Sequence, residues 1–189
     1  MSLPAAINAV SPAQIVSSAD WGNPVKDLVN ALRTQAEAAP LGVIRRYRRT
    51  SSGGSNTGTE TGVQRIDGIP IVAGRLYRIG TNGLQMDSTV NADVARARIR
   101  YTTDGSNAST SSTRLGSGIQ LSSPDAARPA IAAINELYAP GTSHGLSILL
   151  TCQRTAGSGT VVIFGDSTEY LELFVEDVGV DPGSSGTSI

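Results

Sequence analysis

The chain is poor in several residue types that support common functions, and each shortage excludes a class of protein. It has one cysteine, Cys152, so an intrachain disulfide is excluded. Together with the one histidine, His144, this leaves too few ligands for a zinc site. No run approaches the ~20 apolar residues of a membrane span, and the N-terminus lacks the basic and apolar segments of a signal peptide. We therefore expect synthesis in the cytoplasm, no bound cofactor or metal, and no membrane partner.

Charge is also scarce, and it is balanced. The 15 basic and 16 acidic residues leave a net charge of −1, so no overall field attracts the chain to nucleic acid. Basic residues cluster in "RRYRR" (45–49) and alternate as Arg96, Arg98 and Arg100. Alternating arginines are typical of a solvated or subunit-facing sheet face, paired with Glu or Asp across an interface. We favour this structural role over phosphate binding and expect no nucleic-acid partner.

One segment has a clear helical period. Asn23 and Pro24 match an N-cap followed by proline at the first helical position, which predicts a helix from about Pro24 to Ala38. Pro40 lies just beyond its end. Trp21 precedes the cap, where a hydrophobic staple would fold it over the first turn. The apolar positions share one face of the helix: Val25, Leu28, Val29, Leu32 and Ala36.

So short a helix is marginal in water, so its apolar stripe needs a partner surface. It could cover the sheet of its own domain, or it could pack against copies of itself around a symmetry axis. Residues 1–17 show neither helical nor strand period, which predicts an extended arm. Because Leu3, Ile7 and Ile15 make this arm more apolar than a free tail, we expect it to dock on a neighbouring protein.

From Val43 onward the hydrophobic period is two, which predicts strands. Residues 169–177 alternate inward Leu171, Leu173 and Val175 with outward Tyr170, Glu172, Phe174 and Glu176, and residues 95–103 alternate inward Ala95, Ala97, Ile99 and Tyr101 with the three arginines. Further strands are predicted at 43–49, 69–81, 83–88, 118–122, 145–154 and 160–165. Many short strands separated by glycine-containing turns predict an all-β fold, an antiparallel β-sandwich or jelly roll over 41–180.

The remaining segments are predicted to be irregular. Residues 50–62 and 102–118 have the small polar composition of exposed flexible loops. Residues 124–138 could be a short helix or an extended connection, and Pro129 favours the connection. Residues 181–189 are predicted to be a flexible tail. The expected organisation is thus an arm and helix over 1–40, the β domain over 41–180, and this tail.

One motif resembles a catalytic block. Gly165-Asp166-Ser167 follows a hydrophobic strand, as in the nucleophile block of GDSL-type esterases. A nucleophilic serine needs a general base, and in that family the histidine follows near the end of the chain. Here His144 precedes the block and no histidine follows it. A turn between strands explains the motif as well, and we expect no enzymatic activity.

Four segments carry a resemblance to a known class of proteins. They are "SADWGN" (18–23), "GRLYRIGTNGLQMDSTVNADVARARIRYTTDGS" (74–106), "LYAPG" (137–141) and "VEDVG" (175–179). With an arm, a short helix and a Gly/Ser/Thr-rich β domain, the chain resembles small virion proteins of tailed phages that infect actinobacteria. Members of that class are described as head decoration or head fibre proteins, or as minor tail proteins.

The resemblance implies a homo-oligomer, with a trimer favoured, whose N-terminal part attaches to the particle and whose β domain projects. The partners would be sister chains and other virion proteins, such as the major capsid or tail proteins. We expect the helix and arm to form the oligomer and attachment interface: Trp21, Val25, Leu28, Val29, Leu32, Leu3, Ile7 and Ile15. The alternative is a carbohydrate-binding or host-receptor-binding module of a tail fibre that uses loops 50–62 and 102–118 on a host surface glycan.

Overall fold

The computed structural model of the chain describes residues 18–123, 129–165 and 167–183. The chain divides between Ala39 and Pro40 into two compact units. The predicted arm, with Leu3, Ile7 and Ile15, lies outside the described residues, as does the side chain of Trp21. The described residues contain no helix with the length and hydropathy needed to span a bilayer.

The first unit contains a 21-residue helix, α1 (Ser18–Ala38). It ends where the sequence predicts but begins six residues earlier, so Asn23 is not its N-cap, Trp21 does not precede the helix, and Pro24 lies inside it. Proline lacks the N–H that would bond the carbonyl of residue 20, yet only two turns precede it and the helix continues through it. Ser18 and Asp20 are residue types favoured at a helix start. The prediction placed the start at Asn23-Pro24 instead, because this pair matches an N-cap followed by proline.

The second unit is built from strands, and the described residues form twelve of them. In chain order these are β1 (Gly42–Arg49), β2 (Gly53–Asn56), β3 (Thr61–Ile71), β4 (Arg75–Asn82), β5 (Leu84–Ser88), β6 (Val94–Thr102), β7 (Thr113–Ser122), β8 (Ala130–Ala132), β9 (Asn135–Tyr138), β10 (His144–Ala156), β11 (Val161–Phe164) and β12 (Leu171–Val180). All their pairings are antiparallel.

The strand order is that of a jelly roll. The described strands pair as β1-β12-β4-β9, β2-β11-β5-β8 and β3-β10-β6-β7. Along the chain, β1 is followed by β2, β4 by β5, β8 by β9 and β11 by β12. Each of these pairs takes one strand from the first set and one from the second, so the two sets act as four long, interrupted strands. We call them together the first sheet, and β3-β10-β6-β7 the second sheet. Eight long strands in two antiparallel sheets, with the chain crossing between the sheets at every connection except β6–β7, confirm the predicted jelly-roll sandwich.

The core lies between the two sheets, as the strand alternation predicts. On β12, Leu171, Leu173 and Val175 are fully buried, and on β6 Ile99 is too. Fully buried side chains on β4, β5, β10 and β11 join the same cluster: Ile79, Leu84, Met86, Ile148, Leu150 and Val161. The alternation of apolar and polar residues therefore fixes which face of each strand remains outside.

Three segments differ from or refine their predictions. Residues 102–118, predicted to be a flexible exposed loop, contain the first residues of β7, which begins at Thr113. Residues 50–62, predicted to be a flexible exposed loop, contain β2 and the start of β3, and the side chain of Asn56 in β2 is 2% exposed. The small polar residues here pair with β11 as an edge strand, which composition alone does not reveal. Residues 129–138 are extended and include β8 and β9, in agreement with the preferred extended connection.

Candidate functional site

The apolar stripe of α1 is the first candidate surface. Val25 and Leu28 are each 52% exposed, and Val29 and Leu32 are each 56% exposed. The described part of this unit is one helix, and that part offers no second element to cover them. On the polar side, Arg33 Nε lies 2.6 Å from Glu37 Oε1 in an i,i+4 ion pair.

A cluster of charged side chains occupies the outer face of the second sheet. The Glu60 carboxylate accepts two hydrogen bonds from Arg100, each 2.6 Å long, and one from Arg98 at 3.1 Å. The Thr151 hydroxyl donates to the same carboxylate at 2.6 Å. The side chains of Glu60, Arg98 and Arg100 are only 8 to 13% exposed. The cluster is therefore a largely buried, hydrogen-bonded ion network.

This network corrects two predictions. Arg98 and Arg100 do pair with a carboxylate, but it is Glu60 of the same chain, so they neither form a solvated face nor need a subunit interface. Glu60 lies in the segment predicted to be an exposed loop. The hydrogen bonds from Arg100, with further contributions from Thr151 and Arg98, lower the pKa of Glu60 to about 2 despite its burial. Arg96, the third arginine of the alternation, is not part of the network and donates to Gln120 at 3.2 Å, so the alternation by itself did not identify the buried acid.

The cluster of arginines on β1 is also tied to the protein. Arg49 donates to the carbonyls of Val63, Ser51 and Ser52. The Arg48 guanidinium lies 3.3 Å from the Glu172 carboxylate and stacks 4.3 Å above the centre of the Tyr170 ring. These contacts agree with the structural role predicted for "RRYRR".

A concave pocket of about 250 Å³ lies on the outer face of the first sheet. Strands β1, β4, β9 and β12 all contribute to it, although they are far apart in the sequence. Its lining combines one aromatic ring with forked polar side chains: Phe174, Arg46, Arg78, Asn82, Asn135 and Glu172, beside Val43. No motif in the sequence marks these residues as a site. Only Phe174, an aromatic residue at an outward position of β12, could have drawn attention to this face.

The one histidine uses both of its ring nitrogens on residues other than Ser167. Ser167 is exposed, and its neighbour Asp166 lies outside the described residues. His144 begins β10, where Nε2 lies 3.0 Å from the Tyr138 hydroxyl and Nδ1 lies 2.8 Å from the Thr142 carbonyl. Across the described ranges, no three His, Cys, Asp or Glu side chains are grouped closely enough to hold a metal ion.

Cys152 is a core residue, as predicted. Its side chain is fully buried, and burial raises the pKa of the thiol to about 12. Since the thiolate is the reactive form, this cysteine is chemically inert in the folded protein.

Comparison with known proteins gives distant structural likenesses. No family model and no curated protein sequence matches the chain. The CBM22-1 xylan-binding domain of Paenibacillus barcinonensis Xyn10C is 8% identical, with a TM-score of 0.33 over 71% of this chain and 72% of that domain. A chain of infectious bursal disease virus, Gx strain, is 13% identical, with a TM-score of 0.36 over 76% of this chain and 36% of that chain.

The VP2 subviral particle of infectious bursal disease virus gives a further likeness. It is 15% identical, with a TM-score of 0.23 over 77% of this chain and 44% of that chain. The solved neighbours thus include both a carbohydrate-binding domain and viral particle proteins. At these identities and TM-scores, the likeness carries no inference about function.

Proposed function

We propose that this chain is a structural component of a tailed-phage virion, an oligomeric surface protein of the capsid or tail that attaches through residues 1–40. The observation that carries the proposal is the apolar stripe of α1, whose four large side chains are more than half exposed. A helix of this kind is stable when its stripe packs against another surface. The sequence resemblance to small phage virion proteins supplies the biological setting.

The length of α1 supports self-association. Its 21 residues span three heptads, and positions 21, 25, 28 and 32 follow the alternating four- and three-residue spacing of a coiled-coil seam. The longer helix therefore places position 21 in register with the stripe, in addition to the two heptads evident from the sequence. This spacing supports packing of α1 against copies of itself around an axis. The resemblance to phage virion proteins is what suggests three copies, with the jelly rolls carried outside the particle surface.

The energy of the stripe is of the size that a cooperative assembly needs. Burying the exposed half of four Val and Leu side chains contributes about 3 to 6 kcal/mol per copy. Association costs at least ~4 kcal/mol in lost freedom of motion. One helix against one surface would therefore be weak, whereas three copies that also use their arms would bind stably.

Light scattering coupled to size-exclusion chromatography tests the oligomer. The full chain should elute as a particle of three times 19.5 kDa. The variant Leu28→Ser/Leu32→Ser should be monomeric, because it removes half of the stripe. A matched control, Asn30→Ser/Thr34→Ser, changes two exposed polar positions and should stay trimeric. A wild-type monomer at micromolar concentration would contradict self-assembly.

Mass spectrometry of purified particles tests the virion role. The chain should be found at fixed copy number in particles of the phage that encodes it, and separation of heads from tails assigns its location. Protein lacking residues 2–17 should fold but fail to incorporate, because the arm is the proposed attachment segment. Absence of the full chain from purified virions would refute the proposal.

A further inference from the structure

The pocket on the outer face of the first sheet has a floor that is built into the fold. Phe174 faces outward on β12, opposite Gly80 on β4, yet its side chain is only 5% exposed. A Cβ atom at Gly80 would lie 3.1 Å from Phe174 Cζ and 2.9 Å from Asn135 Oδ1, and it would also collide with the Ile134 carbonyl. Because Gly80 has no side chain, the Phe174 ring and residues 134 and 135 can lie close to β4 at this position.

The polar wall of the pocket is held in place by hydrogen bonds. The Glu172 carboxylate accepts hydrogen bonds from Arg48 Nε at 3.3 Å and from Asn82 Nδ2 at 3.2 Å, and Arg46 Nη1 lies 3.6 Å away. Because three donors surround it, the Glu172 side chain is only 12% exposed. It is a fixed acceptor in the wall of the pocket rather than a freely moving surface charge.

The opposite wall is fixed in a similar way. Arg78 Nε donates to Glu176 at 2.7 Å, and the Arg78 guanidinium carbon lies 5.7 Å from the centre of the Phe174 ring. The side chains of Arg46 and Arg78 remain 59% and 46% exposed, so their other donors are accessible from solvent. The pocket thus presents planar, forked donors and acceptors around one apolar floor.

We propose that this pocket binds one sugar ring of a glycan. The exposed side chains of Arg46, Arg78 and Asn82 can hydrogen-bond neighbouring hydroxyl groups, which both donate and accept hydrogen bonds. Val43, which is 54% exposed, is the apolar lining residue that the C–H face of a pyranose can contact, because the Phe174 ring at the floor is only 5% exposed. The volume lies below the ~300 Å³ at which pockets for drug-sized ligands begin, as a single ring requires. Strands form this site, whereas the sequence assigned glycan binding to loops 50–62 and 102–118.

An NMR titration with defined sugars tests the site independently of any role in a virion. The probes are the methyl glycosides of glucose, galactose, mannose, N-acetylglucosamine and glucuronic acid. At least one should shift the backbone amide signals of Gly80 and Phe174, with a Kd on the order of 1 mM, as expected for a single ring. If none of the five shifts these signals at tens of millimolar, the proposal is overturned.

Two variants separate the pocket from other surfaces. Arg46→Ala and Asn82→Ala each remove an exposed lining side chain, so both should fold and weaken the Kd at least tenfold. The matched control is Arg114→Ala, which removes an exposed arginine from β7 of the second sheet and should leave the Kd unchanged. Folding of each variant is checked by circular dichroism. Binding that both pocket variants retain unchanged would place the sugar elsewhere and overturn the assignment.

Discussion

Replacing the buried acid Glu60 by glutamine should destabilise the β domain strongly, although Gln has nearly the same shape. The lowered pKa gives the magnitude: a carboxyl whose pKa falls from 4.5 to about 2 gains about 3 kcal/mol in its charged form. Breaking a buried ion pair by removal of one partner costs about 3 to 5 kcal/mol in other proteins. Since these side chains keep a little exposure, we expect a loss of about 2 to 4 kcal/mol at neutral pH for Glu60→Gln.

The effect should depend on pH in a defined direction. The folded-state pKa of Glu60 is lowered, so its contribution is fully present above the unfolded-state pKa, near ~4.3, and is lost as the pH falls through about 2. The wild-type and Glu60→Gln proteins should therefore differ by a constant amount above ~pH 5. The two stabilities should converge as the pH falls to about 2, where half of the wild-type carboxyls in the folded protein are already protonated.

Urea unfolding followed by circular dichroism measures this difference. In a thermal melt of the same two proteins, a loss of about 3 kcal/mol would lower the melting temperature by about 6 to 12 °C for a chain of this size. The control is Glu37→Gln, which breaks the exposed pair with Arg33 and should leave the unfolding midpoint unchanged within error. A Glu60→Gln loss below about 1 kcal/mol, or one equally large at pH 7 and pH 2, would refute this account.

Two further predictions concern other buried groups of the β domain. Asp177→Asn should lower the free energy of unfolding by about 2 to 4 kcal/mol in the same urea assay, because Asp177 is 1% exposed and its carboxylate holds Arg75 and the Gly179 amide. A change below about 1 kcal/mol would argue against a stabilising pair. Cys152 should not react with a thiol reagent such as DTNB at about pH 8 until urea unfolds the protein, because burial keeps the thiol protonated in the folded state. Rapid labelling of the folded protein would contradict this and would show that the core opens at β10.

The sequence predicts those strands whose own residues show a clear alternation of apolar and charged side chains. On β6 and β12 the apolar and charged residues alternate strictly, and a period of two can be satisfied only by a half-buried strand. Residues 50–62 offer no such signal, because an edge strand of Gly, Ser and Asn has the composition of a loop. The early start of α1 was missed for a related reason: Asn23-Pro24 is a strong local start signal, yet a helix can also pass through proline soon after it begins.

The sites depend on contacts that no single segment encodes. The pocket needs Arg46 from β1, Asn82 from β4, Asn135 from β9 and Glu172 from β12, which only the jelly-roll strand order brings to one face. The same holds for Glu60, whose arginine partners lie about 40 residues further along the chain on β6. Periodicity shows that a side chain points outward from its sheet, but it does not show which neighbour meets it there.

The two outer faces of the sandwich show why arginine content alone does not locate a binding surface. On the second sheet, Arg98 and Arg100 surround one carboxylate, and both side chains are less than 10% exposed, so their donors are largely inaccessible from solvent. On the first sheet, Arg46 and Arg78 also contact carboxylates, but they remain 59% and 46% exposed beside a concave pocket. An arginine binds a ligand only with donors that folding leaves accessible. The first sheet is therefore the face on which this jelly roll can recognise a small polar ligand, and the second is the face that its own ion network seals.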